Sequence, residues 1–207
     1  MNELNAAGIR NVIFDFGGVL VRWAPQEIID SFYADDALRT LAKNAIFQHP
    51  DWLDMDRGTL NEDDAARRFA ERTGRPLQEM ATLLQRVKES LTPIPESLEL
   101  LHALAATGLP LYGLSNMPAS TFEYLRARDP HWSVFRGIVI SGSVKMIKPE
   151  PEIFELIATA HSLEPAETLF LDDSPANIAT AKQWGFQTML FDDPKRCCAE
   201  LRQLFNL

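Results

Sequence analysis

The stretch VIFDFGGVLV, residues 12–21, opens on three apolar residues and meets a carboxylate at Asp15. Phe16, two glycines and a second apolar run follow directly. An apolar run that stops on an acid and then turns on glycine reads as a buried strand ending at a functional edge. Glycine at this point lets the backbone take unusual φ and lets a ligand come close.

Four more short apolar segments resemble this first one: 109–114, 138–140, 168–171 and 188–191. Helix-like segments at 119–128, 150–161 and 177–184 separate the later ones. Apolar strands alternating with helices imply an α/β fold, a Rossmann-like, doubly wound, five-stranded parallel sheet covered on both faces. Residues 22–92 break this alternation. TLNEDDAARRFAERTG (59–74) has a cap residue, early acids, helical apolar spacing and a closing Gly74, and PLQEMATLLQRVKESL (76–91) repeats the pattern. TPIPES (92–97) is a proline-rich return to the sheet. The expected organisation is a Rossmann-like catalytic core of residues 1–22 and 93–207, with an inserted helical cap over 23–92.

Ligands of an open parallel sheet bind outside the carboxyl ends of its strands. Asp15 follows the first strand, Ser115 and Asn116 the second, Lys148 lies past the third, and Asp172 and Asp173 end the fourth. Carboxylates, a hydroxyl and a lysine therefore converge on one crevice. Taken singly, each has a plainer role. Asp15 could cap a turn, Asp172-Asp173-Ser174-Pro175 could open a helix, Ser115 and Asn116 could cap the next helix, and Lys148 could be solvated. As a set they suit phosphoryl transfer. An Asp can attack phosphorus and form an aspartyl-phosphate. Mg²⁺, held by one or two carboxylates, phosphate oxygens and water, lets the two anions meet. Asp15 and Asp173 are suitable ligands, with a backbone carbonyl near Gly17 as a third. Lys148 and Ser115 can hold the remaining phosphoryl oxygens.

Four segments in order, FDFGGVLV (14–21), LSN (114–116), KMIKPEPEIF (145–154) and FLDDSPANIATAKQWGF (170–186), resemble the motifs of the haloacid dehalogenase (HAD) superfamily. The spacing resembles its branch with a helical cap after the first strand. Within it the chain is most similar to sugar-phosphate phosphatases of the α-glucose-1-phosphate type and to the N-terminal phosphatase domain of soluble epoxide hydrolases. The resemblance implies Asp15 as nucleophile, Ser115 as phosphate binder, Lys148 as charge clamp and Asp173 as metal ligand. It further implies that Asp172 supports the metal or the lysine, that Asn177 orients the metal shell and that Asn116 touches substrate. Gly17 and Gly18 complete the expected phosphate loop.

One position departs from the family. Most of its phosphatases carry a second Asp two residues after the nucleophile, to protonate the leaving oxygen; here that residue is Gly17. General acid–base help contributes typically about 10²–10⁴-fold. A leaving group that needs little help, as in a sugar 1-phosphate, would suit its absence.

The activity expected is Mg²⁺-dependent hydrolysis of a small phosphorylated metabolite, a sugar phosphate being favoured. A metal-free 2-haloacid dehalogenase using the same Asp is an alternative, but adjacent Asp172 and Asp173 repel each other without a cation. A phosphate-binding module with little turnover is another. HPDWLDMDRG (49–58), Arg22 and Trp23 could face the crevice from the cap, or form a solvated loop around a buried Trp52. The four histidines lack metal-ligand spacing, and the DDP at 192–194 reads as a turn and helix cap.

The 207 residues carry 20 Lys and Arg against 29 Asp and Glu, a net charge of −9. That argues against a nucleic-acid partner, which needs a basic face. No apolar run approaches membrane-spanning length. MNELNAAGIR lacks the basic and apolar regions of a secretory signal. The only cysteines, Cys197 and Cys198, are adjacent and too close for ordinary disulfide geometry, which suits a reducing compartment and a cytoplasmic protein.

Overall fold

The computed structural model describes residues 8–207; the start of the segment weighed as a secretory signal lies outside these. Five strands form one sheet: β1 (Asn11–Phe14), β2 (Leu111–Ser115), β3 (Gly137–Ile140), β4 (Thr168–Asp172) and β5 (Gln187–Leu190). All neighbours are parallel, in the order β3-β2-β1-β4-β5. The expected α/β fold is the one observed, with strand ends shifted by one or two residues. β1 is central because both its faces are buried. Val12 and Phe14 join one apolar cluster with Leu100, Leu104 and Leu201, and Ile13 joins another with Phe154 and Phe170.

Among the described residues eleven α-helices accompany the sheet: α1 (Pro25–Phe32), α2 (Asp36–Ala42), α3 (Pro50–Arg57), α4 (Glu62–Thr73), α5 (Leu77–Ser90), α6 (Pro95–Ala106), α7 (Ala119–Arg128), α8 (Ser141–Val144), α9 (Pro151–His161), α10 (Pro175–Gln183) and α11 (Pro194–Phe205). Six of them begin on proline, whose fixed φ fits the first turn and whose missing N–H would lack a partner there anyway. Asn61 and Asp193 cap α4 and α11 by accepting from Asp64 N and Arg196 N, each at 2.9 Å. Gly58 and Gly74 close α3 and α4 in the left-handed conformation.

Helices α1 to α5 pack on one another around a core of their own, built from Ile29, Ile46, Phe69, Met80 and Leu83 among others. Between α2 and α3, residues Lys43–Phe47 widen into a π-helical turn that the sequence pattern did not announce. The chain enters and leaves this helical layer side by side: Arg22 N donates to Thr92 O at 2.8 Å, and Val21 pairs with Pro93. The layer also touches the sheet domain directly. Arg57 forms a bidentate ion pair with Glu150 at 2.6 Å, and Ser141 Oγ donates to Asp56 O at 2.6 Å. Cys197 and Cys198 are free and buried in the sheet core. Among the described residues no helix is long and apolar enough to cross a membrane.

Candidate active site

The carboxyl ends of β1, β2 and β4 meet where the strand order reverses, and there the predicted residues collect. Asp15 continues directly from β1, and its N–H donates to Leu171 O of β4 at 2.9 Å. The next residue, Phe16, is fully buried and packs on Trp132, with ring centroids 4.6 Å apart. Its ring lies where a side chain on residue 113 would be, so Gly113 of β2 makes room for it. This wedge anchors the loop that follows Asp15. Phe16 N also donates to Asp15 Oδ1 at 2.6 Å.

Lys148 is buried between two of the acids. Its Nζ lies 2.9 Å from Asp15 Oδ1 and 2.7 Å from Asp172 Oδ2, and it donates to Leu114 O at 2.9 Å. With Oδ1 of Asp15 held by Phe16 and Lys148, Oδ2 is the oxygen left to face the crevice. Asn116 grips the backbone of Lys148 from both sides: its Nδ2 donates to Lys148 O at 2.8 Å, and Lys148 N donates to its Oδ1 at 2.9 Å.

Asp172 has no exposure and no spare oxygen. Oδ1 accepts from Ser174 N at 2.8 Å and Asn177 Nδ2 at 2.9 Å, while Oδ2 accepts from Lys148 and, at 3.0 Å, from Asn177. Asn177 thus reaches the acid that faces the lysine. Asp173 is exposed as a residue, but its carboxylate lies on the cavity beside those of Asp15 and Asp172. Gly18, at φ +75°, passes so close to it that an added Cβ would overlap its carboxylate. Ser115 is buried at the end of β2 and lines the same cavity as Asp15, Gly17, Asn116, Lys148, Asp173 and Asn177. Ser115 and Asn116 do not cap the following helix, which begins after Pro118 with no side-chain cap.

The electrostatics reflect three acids around one ammonium. Burial, with repulsion from Asp172 and Asp173, outweighs the attraction of Lys148 and pushes Asp15 up to about 7. Burial, then Asp172, also raises Asp173. Lys148 is pulled down by burial but raised further by Asp15 and Asp172, so it stays charged. One carboxylate oxygen each from Asp15, Asp172 and Asp173 fall within 4.8 Å of one another. An all-oxygen set with excess negative charge fits a hard divalent cation, making this a candidate metal site.

The cavity continues from these groups into the helical layer, with a volume of about 610 Å³. Trp23 and the 49–58 segment both line it: Trp52, Leu53, Met55 and Asp56 face inward, and Trp52 is buried as well. Arg22 is exposed and paired with Glu27 instead. Asp56 was not singled out by sequence. Asp56 lines the cavity, and burial raises its carboxyl well above the ordinary carboxylate range. The signal was present in its segment, whose polar and aromatic density exceeds what a helix hairpin needs.

A family model described as a haloacid dehalogenase-like hydrolase matches residues 9–185. The chain belongs to that family. It is 32% identical to the sesquiterpene phosphatase astK of Aspergillus oryzae, over 93% of this chain and 94% of that one. It is 27% identical to a D-ribitol-5-phosphate phosphatase of Bacteroides thetaiotaomicron, over 96% and 99%. A HAD-family enzyme of Bacteroides thetaiotaomicron, solved as a magnesium complex, superposes with a TM-score of 0.70 at 25% identity, covering 88% of this chain and 92% of that one. Within the HAD family this chain is a phosphatase-type hydrolase.

Proposed function

We propose that the protein is a Mg²⁺-dependent phosphomonoester hydrolase acting on a small phosphorylated metabolite through an aspartyl-phosphate on Asp15. The observation that carries this is Lys148 Nζ, within 2.9 Å of Asp15 and Asp172 beside the third acid, Asp173. Asp15 and Asp173, with the Gly17 carbonyl, would hold Mg²⁺. Asp172 is engaged by Lys148, Ser174 and Asn177, so it acts on the site by fixing the lysine. Bound there, the cation would offset the repulsion between nucleophile and phosphate.

The rest follows from the chain's own groups. Asp15 Oδ2 attacks phosphorus; the P–O bond to Asp15 forms as the P–O bond to the leaving oxygen breaks, and that oxygen takes up a proton from solvent water. Water then hydrolyses the acyl phosphate, returning Asp15 and inorganic phosphate. Lys148 and Ser115 stabilise the equatorial oxygens, where charge spreads in the transition state.

The relatives' names support the class without choosing a member. One acts on a sesquiterpene, the other on a polyol phosphate. The sugar 1-phosphate expectation rests on Gly17 alone. We assign the helical layer, residues 23–92, the role of a substrate-selecting cap. The test is phosphate release from acetyl phosphate and p-nitrophenyl phosphate, with Mg²⁺ or EDTA, beside Asp15→Asn. Release that requires both Mg²⁺ and Asp15 is expected. Turnover in EDTA, or by Asp15→Asn at the native rate, would sink the reading; halide release from 2-chloropropionate in EDTA would put the dehalogenase in its place.

A further inference from the structure

Beyond the acids, the cavity wall changes character. Trp23, Phe47 and Trp52 form a cluster of three mutually packed rings, with centroids 5.9 Å apart between Trp23 and Trp52, 6.5 Å between Trp23 and Phe47 and 4.6 Å between Phe47 and Trp52. Ile29, Leu84 and Val87 face them from α1 and α5. The π-helical turn carries Phe47 into this cluster. Trp23 and Leu53 are 37% and 59% exposed, a large apolar exposure for side chains that line a cavity.

The polar side chains of this part of the wall are mostly committed elsewhere. Gln26 donates its amide to Asp30 at 2.9 Å. Glu62 is held by Lys88 at 2.6 Å and accepts from Thr121. Lys43 and Gln48 are exposed at the rim. Asp56 is the remaining acid, and burial raises its carboxyl well above the ordinary carboxylate range. Sugar hydroxyls laid against the three rings would lose water and gain few partners. Gly17, where an acid would ordinarily reach the leaving oxygen, abuts Trp23: an added Cβ would lie 3.5 Å from Trp23 Cβ.

We infer that the substrate is the monophosphate of a bulky apolar alcohol, its phosphate at Asp15 and its hydrocarbon along Trp23, Phe47 and Trp52. This rests on the phosphatase reading and departs from the sugar phosphate expected from sequence. Specificity then comes from burial of hydrocarbon, which grows with each carbon until the cavity is filled.

The test is a ladder of ethyl, butyl, hexyl and octyl phosphate, kept below micelle-forming concentrations, beside ribitol 5-phosphate and glucose 1-phosphate. Acetyl phosphate serves as the minimal substrate that reports the phosphoryl machinery. With full burial worth about 0.8 kcal/mol per methylene, kcat/KM should rise by up to about 4-fold per added carbon. Leu53→Asp, at an exposed position that folding tolerates, should lower the octyl-to-ethyl ratio by about 5-fold or more, since it sets a charge against the chain. Quenching of tryptophan fluorescence by octyl phosphate, titrated into Asp15→Asn, gives binding without turnover. A flat ladder with faster hydrolysis of the two sugar phosphates would overturn the inference and leave the phosphatase standing. If even acetyl phosphate is untouched, the phosphatase reading fails; the titration then decides, chain-length-dependent binding upholding the apolar site and its absence overturning it.

Discussion

Gly18 and Asp173 lie so close that the glycine's missing side chain is what leaves the carboxylate its place. Gly18 also sits at φ +75°, where an L side chain is strained by roughly 1–2 kcal/mol. Gly18→Ala should therefore displace Asp173 without touching any other acid. By analogy with lost support around a metal ligand, Mg²⁺ should bind about 10–100-fold more weakly. The Mg²⁺ concentration for half-maximal phosphate release is the readout, and an unchanged value would show that Asp173 is not a ligand.

Lys148, itself buried, neutralises two acids at the floor of the cavity. Lys148→Met would keep the bulk and leave Asp15 and Asp172 unpaired. Breaking a buried pair in this way typically destabilises by about 3–5 kcal/mol. Denaturant unfolding should show that loss together with loss of turnover. Lys148→Met in an Asp15→Asn background should recover part of the stability, since one unpaired charge is then gone. No recovery would mean the two side chains are not energetically coupled.

In the helical layer, Asp51 is buried between Arg68, at 3.0 Å, and Arg72, beside His49. Burial alone would raise its pKa, but the two arginines outweigh it and hold the carboxyl below its ordinary value. A depressed carboxylate contributes stability that is present above the unfolded pKa, near about 4, and is lost as pH falls through the folded value. Asp51→Asn should cost about 2 kcal/mol at neutral pH, short of a fully buried pair because Arg68 is half exposed. The difference from wild type should close on acidification, as thermal melts across pH would reveal; a difference independent of pH would rule out the ion pair as its source.

Asp56 has the opposite sign. Its raised pKa means the folded state keeps a proton that the unfolded chain releases near about pH 4. This contribution is present below the unfolded pKa and is lost as pH rises toward the folded value. Asp56→Asn should therefore gain stability relative to wild type as pH rises. A gain that does not grow with pH would mean that Asp56 is solvated and ordinary.

The sheet was legible because its signals are local. Apolar strands ending on Asp15, Ser115 and Asp172 carry both the topology and the site, and α7 begins and ends where its pattern said. Gly74 and Asp193 closed and capped helices as expected. What escaped depends on segments distant in sequence. Asn116 lines the cavity where it was expected, but its grip on the Lys148 backbone, 32 residues away, had no local signal. Asn177 lies beside the candidate metal site, as expected, but that its partner there is Asp172 was not written in the spacing. The π-helical turn and the burial of Asp56 arise from how the helical layer meets the core, through contacts such as Arg57 with Glu150, which no periodicity encodes.

The paired hydrogen bonds between Asn116 and the Lys148 backbone have a consequence for affinity. A side-chain amide here takes the part of a peptide group, adding one more rung beyond the end of β2. The lysine's backbone is frozen as part of the sheet rather than as part of a loop. The entropy of ordering it is spent when the chain folds. In the proposed reaction, an arriving phosphate would meet an ammonium already in position and keep for its own binding the free energy that a mobile loop would have consumed.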